Sequence, residues 1–259
     1  MTNGPVNEFF FDRLRVRVCE DRRALGEAAA QEAEAALAAA TAQAARVAVV
    51  FAAAPSQSET LRALTAATTI AWPRVLGLHM DEYAGLSAEH PASFRRYLRE
   101  HLIAHVTMGD FDWIKGEAAD LAAVCRDYAR RLAQRRPALC LLGIGENGHL
   151  AFNDPGEARF DDPNDVRIVT LDRACREQQV AEGHFPSIEA VPEQAVTLTV
   201  PALVRIPHLI ASVPGERKAE AVRKCLLEPV SEDCPASILR THPHATLYLD
   251  QESARLLSE

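Results

Sequence analysis

The chain has 259 residues, 48% of them apolar, and a formal net charge of -8. That apolar content supports a real core in one α/β domain spanning the whole chain. The acidic balance argues against nucleic acid or an anionic membrane as partner, since both need a clustered basic surface. Six cysteines without paired spacing suit reduced thiols in the cytoplasm better than a disulfide framework or a zinc site. The start of the chain shows no leader pattern, and no apolar run reaches membrane-spanning length.

After a polar lead, Glu20 to Ala45 is dense in Ala, Glu, Gln and Leu and predicts one long helix. Arg46–Phe51 reads as a buried strand, followed by a helix that starts near Pro55 and runs to about Thr68. A helix start at a strand's carboxyl end is a ready anion site, which makes Ser56, Gln57 and Ser58 candidate ligand contacts, with simple capping as the plainer alternative. Val75–Met80 is a further strand, ending in Asp81-Glu82-Tyr83. Adjacent carboxylates leaving a strand point to opposite sides, so at most one faces a crevice, and a turn or cap role is open to either. Helices follow over 91–102 and 118–134, and this β-α alternation predicts a Rossmann-like, doubly wound, mostly parallel sheet with helices on both faces.

Ala138–Leu142 predicts another buried parallel strand, and it runs into Gly143-Ile144-Gly145-Glu146-Asn147-Gly148-His149-Leu150-Ala151-Phe152-Asn153-Asp154-Pro155. In open α/β sheets ligands bind beyond the carboxyl ends of the strands, so His149 and Asp154 are functional suspects. The three glycines match a dinucleotide fingerprint, but that fingerprint must open a helix and here a turn follows. The bend has no serine or cysteine placed as a nucleophile, and a single histidine with scattered carboxylates lacks the spacing of a metal site. A histidine beside a carboxylate suits proton transfer near neutral pH. Acid–base work on a small polar ligand remains, with anion anchors at the helix starts near Ser56 and Lys218. Further on, 153–165 reads as a loop, with strands at 166–171, 195–200, 208–213 and 245–249, the last closing the sheet. Helices begin near Asp172 and after Pro214-Gly215-Glu216-Arg217-Lys218.

Met80-Asp81-Glu82-Tyr83-x-Gly85-Leu86, the Gly143–Pro155 motif and Gly215-x-x-Lys218-Ala219 together resemble the glucosamine-6-phosphate deaminase family, over about four fifths of the chain. The resemblance implies conversion of glucosamine 6-phosphate to fructose 6-phosphate and ammonia, with no metal and no organic cofactor. It implies Asp81 as the base acting between carbons 1 and 2, His149 as ring opener oriented by Asp154, and Asn147 as a further catalytic position. For the substrate it implies contacts from Lys218 and Gly148, with Ser56, Gln57 and Ser58 rebuilding the phosphate loop. The departures are Ala52-Ala53-Ala54 where the family carries a Thr-Gly-Gly or Thr-Gly-Ser loop, aspartate at Asp154 where it carries glutamate, and no clear phosphate-binding arginine near Gly183-His184. Two other readings use the same residues: a phosphosugar lactonase with His149 activating water, and a non-catalytic sugar-phosphate sensor. The resemblance leaves a homo-oligomer open.

Overall fold

The computed structural model describes residues 7–171, 173–181 and 183–257. In chain order the elements are β1 (Asn7–Phe11), β2 (Leu14–Cys19), α1 (Arg22–Gln43), β3 (Val47–Phe51), α2 (Ser58–Ala66), β4 (Val75–His79), β5 (Asp81–Tyr83), α3 (Phe94–Leu98), β6 (Asp110–Asp112), α4 (Leu121–Arg135), β7 (Leu139–Leu142), β8 (Val166–Thr170), α5 (Arg173–Ala181), β9 (Gln194–Leu198), α6 (Val200–Val204), β10 (His208–Val213), α7 (Ala219–Leu227) and β11 (Ala245–Asp250). Asp172, where a helix was expected to begin, lies outside the described residues, and that helix is seen from Arg173.

Eight strands form the main sheet in the order β1-β2-β11-β10-β7-β3-β4-β6. Only the β1–β2 pair is antiparallel. From β3 the chain winds outward through β4 and β6, then returns to β7 and winds the other way through β10 and β11. The switch point therefore lies between β3 and β7, where open α/β sheets place their ligands. Both faces are covered, and β3 shows why its sequence is continuously apolar. Ala48 and Val50 enter the core shared with α4 and α7, while Val47, Val49 and Phe51 enter the core under α1 and α2. Two of the long helices, α1 and α4, start where a side chain takes up a free N–H group: Asp21 accepts from the amide of Ala24 at 2.7 Å and Asp120 from that of Ala123 at 2.8 Å.

Two expectations are corrected. The polar lead before Glu20 contains the β1–β2 hairpin, which joins the sheet beside β11, so β11 is an interior strand and does not close the sheet. In β2 Leu14 and Val16 are buried while Arg15 and Arg17 are half-exposed, a period-2 strand signal carried by only a few residues. Asp81-Glu82-Tyr83 is itself a strand. It pairs antiparallel with β9, which pairs with β8, giving a second, three-stranded sheet.

A polar knot pins α1 to the main sheet. The Glu32 carboxylate, 10% exposed, accepts the hydroxyls of Thr246 and Tyr248 at 2.8 Å each, lies 2.8 Å from His208 Nε2 and is paired with Arg15. Burial alone would raise its pKa, but these hydrogen bonds and the Arg15 charge outweigh burial and bring it down to about 2. A carboxylate depressed on folding contributes stability that is full above its unfolded pKa and is lost as pH falls through the folded value. Glu32→Gln should therefore destabilise the protein at neutral pH by roughly 3 kcal/mol, the scale for breaking a buried pair. The difference in urea midpoint from the unaltered protein should shrink as pH drops from about 4.5 toward 2.

Candidate active site

Four turns leave the carboxyl ends of neighbouring parallel strands: 52–58 after β3, 80–81 after β4, 143–154 after β7 and 214–218 after β10. One buried side chain joins three of them. Gln57, 1% exposed, aims its Nε2 at the carbonyls of Leu142 (3.1 Å) and Ser212 (3.2 Å) and at Ser56 Oγ (3.2 Å). Leu142 is the last residue of β7 and Ser212 the next to last of β10, and a buried carbonyl left without a donor is costly. Gln57, expected as a ligand contact, thus has its amide nitrogen committed to holding the turns together. The close approach leaves little room at Gly143, where a Cβ would stand 3.1 Å from both Gln57 Nε2 and Ser56 Oγ. Ser58 is bound to the Tyr97 hydroxyl at 2.9 Å, and Tyr97 donates to the carbonyl of Ala54 at 2.7 Å. Of the three candidates, Ser56 has the least committed side chain: its oxygen accepts from Gln57, and it is half-buried.

The Asp81-Glu82 pair divides as a strand requires. Glu82, fully buried, accepts from the Tyr83 amide at 3.0 Å, the Ser93 hydroxyl at 2.8 Å, the Phe94 and Arg95 amides at 3.2 and 3.1 Å, and Arg95 Nε at 3.2 Å. It therefore closes the N-terminus of α3, which places the capping role considered for this pair on Glu82. Asp81, 7% exposed, points the other way, and its carboxylate accepts no hydrogen bond among the described residues. Burial, and then the Glu82 charge, push its pKa well above the usual carboxylate range. Beneath it His79 is wholly buried, with the Ile114 amide donating to its Nε2 at 2.7 Å, and burial followed by the Arg95 charge lowers its pKa to about 3.

The motif after β7 folds back through the bond from the Gly148 amide to the Gly145 carbonyl at 3.0 Å, with Gly148 at φ 89°. Asn147 bridges inward: its Nδ2 donates to Asp154 Oδ1 at 2.8 Å and its Oδ1 accepts from the His149 amide at 3.1 Å. His149 Nδ1 lies 2.9 Å from the same Asp154 oxygen, but Nδ1 makes no aligned hydrogen bond. The imidazole, 25% exposed, lies flat against Gly145, where a Cβ would stand 2.2–2.4 Å from three ring atoms. Gly148, expected at the ligand, has its amide and carbonyl engaged by Gly145 and by the Ala236 amide, and a Cβ there would meet Cys234 Sγ at 2.7 Å.

Thr197 ties this loop to Asp81. It stands opposite Asp81 in the β5–β9 pair and its hydroxyl oxygen accepts the Phe152 amide at 3.1 Å, while Asn153 Nδ2 donates to the carbonyls of Leu150 and Leu198 at 2.8 Å each. On the opposite flank, Gly215 at φ 95° donates to both oxygens of Asp250 at 3.0 and 2.9 Å, fixing the turn that carries half-buried Lys218. The adjacent Arg217 is paired with Glu146 of the β7 motif at 2.7 Å. Gln57, Thr197 and the Glu146–Arg217 pair thus gather Ser56, Asp81, His149, Asn147, Asp154 and Lys218 along one edge of the sheet. Two grooves lie elsewhere, about 200 Å³ between α1 and α2 and about 470 Å³ beside β1, and it is the gathered side chains rather than volume that mark the strand-end crevice. Gly145, Thr197, Asn153 and Arg217 were missed by sequence reasoning. Only Gly145 and Asn153 carried a signal, their place inside the motif. Among the described residues no group of His, Cys, Asp and Glu is arranged to hold a metal ion.

The profile of a family described as glucosamine-6-phosphate isomerases/6-phosphogluconolactonase matches residues 20–248. A glucosamine-6-phosphate deaminase of Geobacillus sp. (strain WCH70) is 36% identical over 185 residues, covering 70% of this chain and 72% of the relative. Glucosamine-6-phosphate deaminase 1 of Bacillus subtilis (strain 168) is 35% identical over 190 residues, 72% of this chain and 76% of the relative. Among solved structures, a monomeric glucosamine-6-phosphate deaminase superposes with TM-score 0.84 at 30% identity, covering 93% of this chain and 99% of the other. A 6-phosphogluconolactonase from Trypanosoma brucei reaches TM-score 0.77 at 18% identity, covering 93% and 98%, a likeness of fold alone.

The contact between Gly145 and the imidazole yields a direct test. Gly145→Ala requires no left-handed backbone, yet its methyl would occupy the ring's position, so the ring must swing away from Asp154. The nitrogen-15 NMR signals of His149 should then change while the thermal midpoint moves by only a few degrees, the scale of about 1 kcal/mol.

Proposed function

This chain belongs to the glucosamine-6-phosphate isomerase/6-phosphogluconolactonase family, and from that premise we propose that it converts glucosamine 6-phosphate to fructose 6-phosphate with release of ammonia. The observation that carries the reading is Asp81, a buried carboxylate without a hydrogen-bond partner among the described residues and with a raised pKa, joined through Thr197 to the His149–Asp154 loop.

In this mechanism His149 takes the proton of the carbon-1 hydroxyl and returns one to the ring oxygen, opening the sugar, with Asp154 and Asn147 holding the loop that presents the imidazole. Asp81 then removes the proton from carbon 2, giving an enolamine, and delivers it to carbon 1, giving a ketimine at carbon 2. Water adds to that carbon, and ammonia leaves as the keto group forms. A base that works near neutral pH gains from a pKa moved toward that range, which is the direction given by burial and the Glu82 charge. At the other end of the sugar Lys218 supplies positive charge and Ser56 a hydroxyl donor to the phosphate, in place of a glycine loop. A lactonase would use His149 on water but would have no work for Asp81, since ester hydrolysis removes no carbon-bound proton.

The reading places the enzyme in amino-sugar metabolism. It also places it in the cytoplasm, in keeping with five free, buried cysteines among the described residues and no helix there long and apolar enough to cross a membrane.

Asp81→Asn should lower the rate of ammonia release by about 10²–10⁴-fold, the usual worth of a positioned base, while substrate still binds. A group whose pKa is raised on folding favours the folded state below its unfolded pKa and ceases to do so as pH rises through the folded value, so the ionised Asp81 opposes folding at neutral pH. Asp81→Asn should accordingly raise the thermal midpoint at pH 7, and the acid limb of kcat/KM in the unaltered enzyme should lie above the ordinary aspartate range. Turnover unaffected by Asp81→Asn would refute the base. Lys218→Ala should raise KM roughly tenfold with little change in kcat, because a contact far from the reacting carbons is made equally in ground and transition states.

A further inference from the structure

Residues 145–148 form a tight turn whose two corner side chains point to different neighbours: Asn147 reaches Asp154, and Glu146 reaches Arg217. The second contact is a two-pronged one, with Arg217 Nε 2.7 Å from Glu146 Oε1 and Nη2 3.2 Å from Oε2. It spans 71 positions of sequence and links the turn of His149 to the turn of Lys218. The mechanism above gives it no role. The neighbouring acid Glu216 pairs instead with Arg255 at 2.8 Å.

Charge counting makes the pair informative. A sugar phosphate near neutral pH carries close to two negative charges, as a phosphorylated side chain does, and a single ammonium at Lys218 leaves most of one charge uncompensated. Arg217 is the next residue in the chain, and a planar guanidinium binds phosphate through two parallel hydrogen bonds. The contact with Glu146 is weak. The Arg217 side chain is 61% exposed and Glu146 26%, and exposed ion pairs are worth about 0–1 kcal/mol.

Resting on the sugar-phosphate reading of this crevice, we propose that Arg217 is a second phosphate-binding residue that Glu146 holds in waiting, and that the incoming phosphate takes the guanidinium from Glu146. The carboxylate then stands unpaired beside the phosphate and repels it. Glu146 therefore weakens binding and Arg217 strengthens it, although the two residues are bound to each other.

The test measures inorganic phosphate binding to the full chain by calorimetry at low ionic strength, together with KM for glucosamine 6-phosphate. Glu146→Gln should tighten phosphate about threefold or more and Arg217→Ala should weaken it about tenfold or more, the range expected for a charged hydrogen-bonding partner. Both shifts should reappear in KM, with kcat changing less. A link that merely braces the two turns would make both substitutions act in the same direction, and that result, or no shift in either, overturns the proposal. Ammonia release by the unaltered protein with no shift in the variants would overturn the phosphate exchange alone. Opposite shifts in phosphate affinity without ammonia release would uphold the exchange and overturn the enzymatic reading.

Discussion

Glu82 is the constraint on which the proposed chemistry depends. A carboxylate sealed from water is expensive unless hydrogen bonds replace its hydration, and Glu82 meets that condition with three backbone amides, the Ser93 hydroxyl and Arg95. Arg95 is in turn held by Glu117 and the carbonyl of Leu86. The cluster locks β5 to α3 with little freedom to rotate, and since neighbours on a strand face opposite ways, Asp81 has no choice but to face the crevice. Its raised pKa follows from the same arrangement, through burial and the charge of Glu82 beside it. A local sacrifice of stability for a reactive group is common in active sites, and here the neighbouring cluster holds it in place.

The second sheet solves a geometrical problem that the main sheet cannot. Parallel strands bring their carboxyl-end turns to one edge, but loops at an edge are free to drift unless tied. Gln57 ties the turns after β3, β7 and β10 through the carbonyls of Leu142 and Ser212. Thr197 and Asn153 tie the motif after β7 to the strand bearing Asp81. Asp250 fixes the last turn through Gly215. Most of these tethers join positions far apart in sequence, which is how a site assembled from separate strands holds its shape.

The fold class was legible because buried parallel strands are continuous apolar runs, and Val47–Phe51 and Leu139–Leu142 are buried at every position. The hairpin before Glu20 was not, because Phe9-Phe10-Phe11 interrupts alternation in β1 and the alternation of β2 is only a few residues long. Within the site, the Gly143–Pro155 motif was legible because its contacts are local, from Asn147 to Asp154 and from His149 to Gly145. Gln57 illustrates the limit. At a helix start a polar side chain reads as a ligand donor, and only the fold reveals that it answers carbonyls 85 and 155 positions away. Arg217 was overlooked for the same reason, its partner lying 71 positions distant.

The central claim is that Asp81 breaks the bond between carbon 2 and its hydrogen. Glucosamine 6-phosphate deuterated at carbon 2 tests it without reliance on the later steps. With the unaltered protein the label should leave carbon 2 as ammonia appears. With Asp81→Asn it should stay on carbon 2 although the ligand still binds. Loss of the label at an unchanged rate in Asp81→Asn would contradict the account.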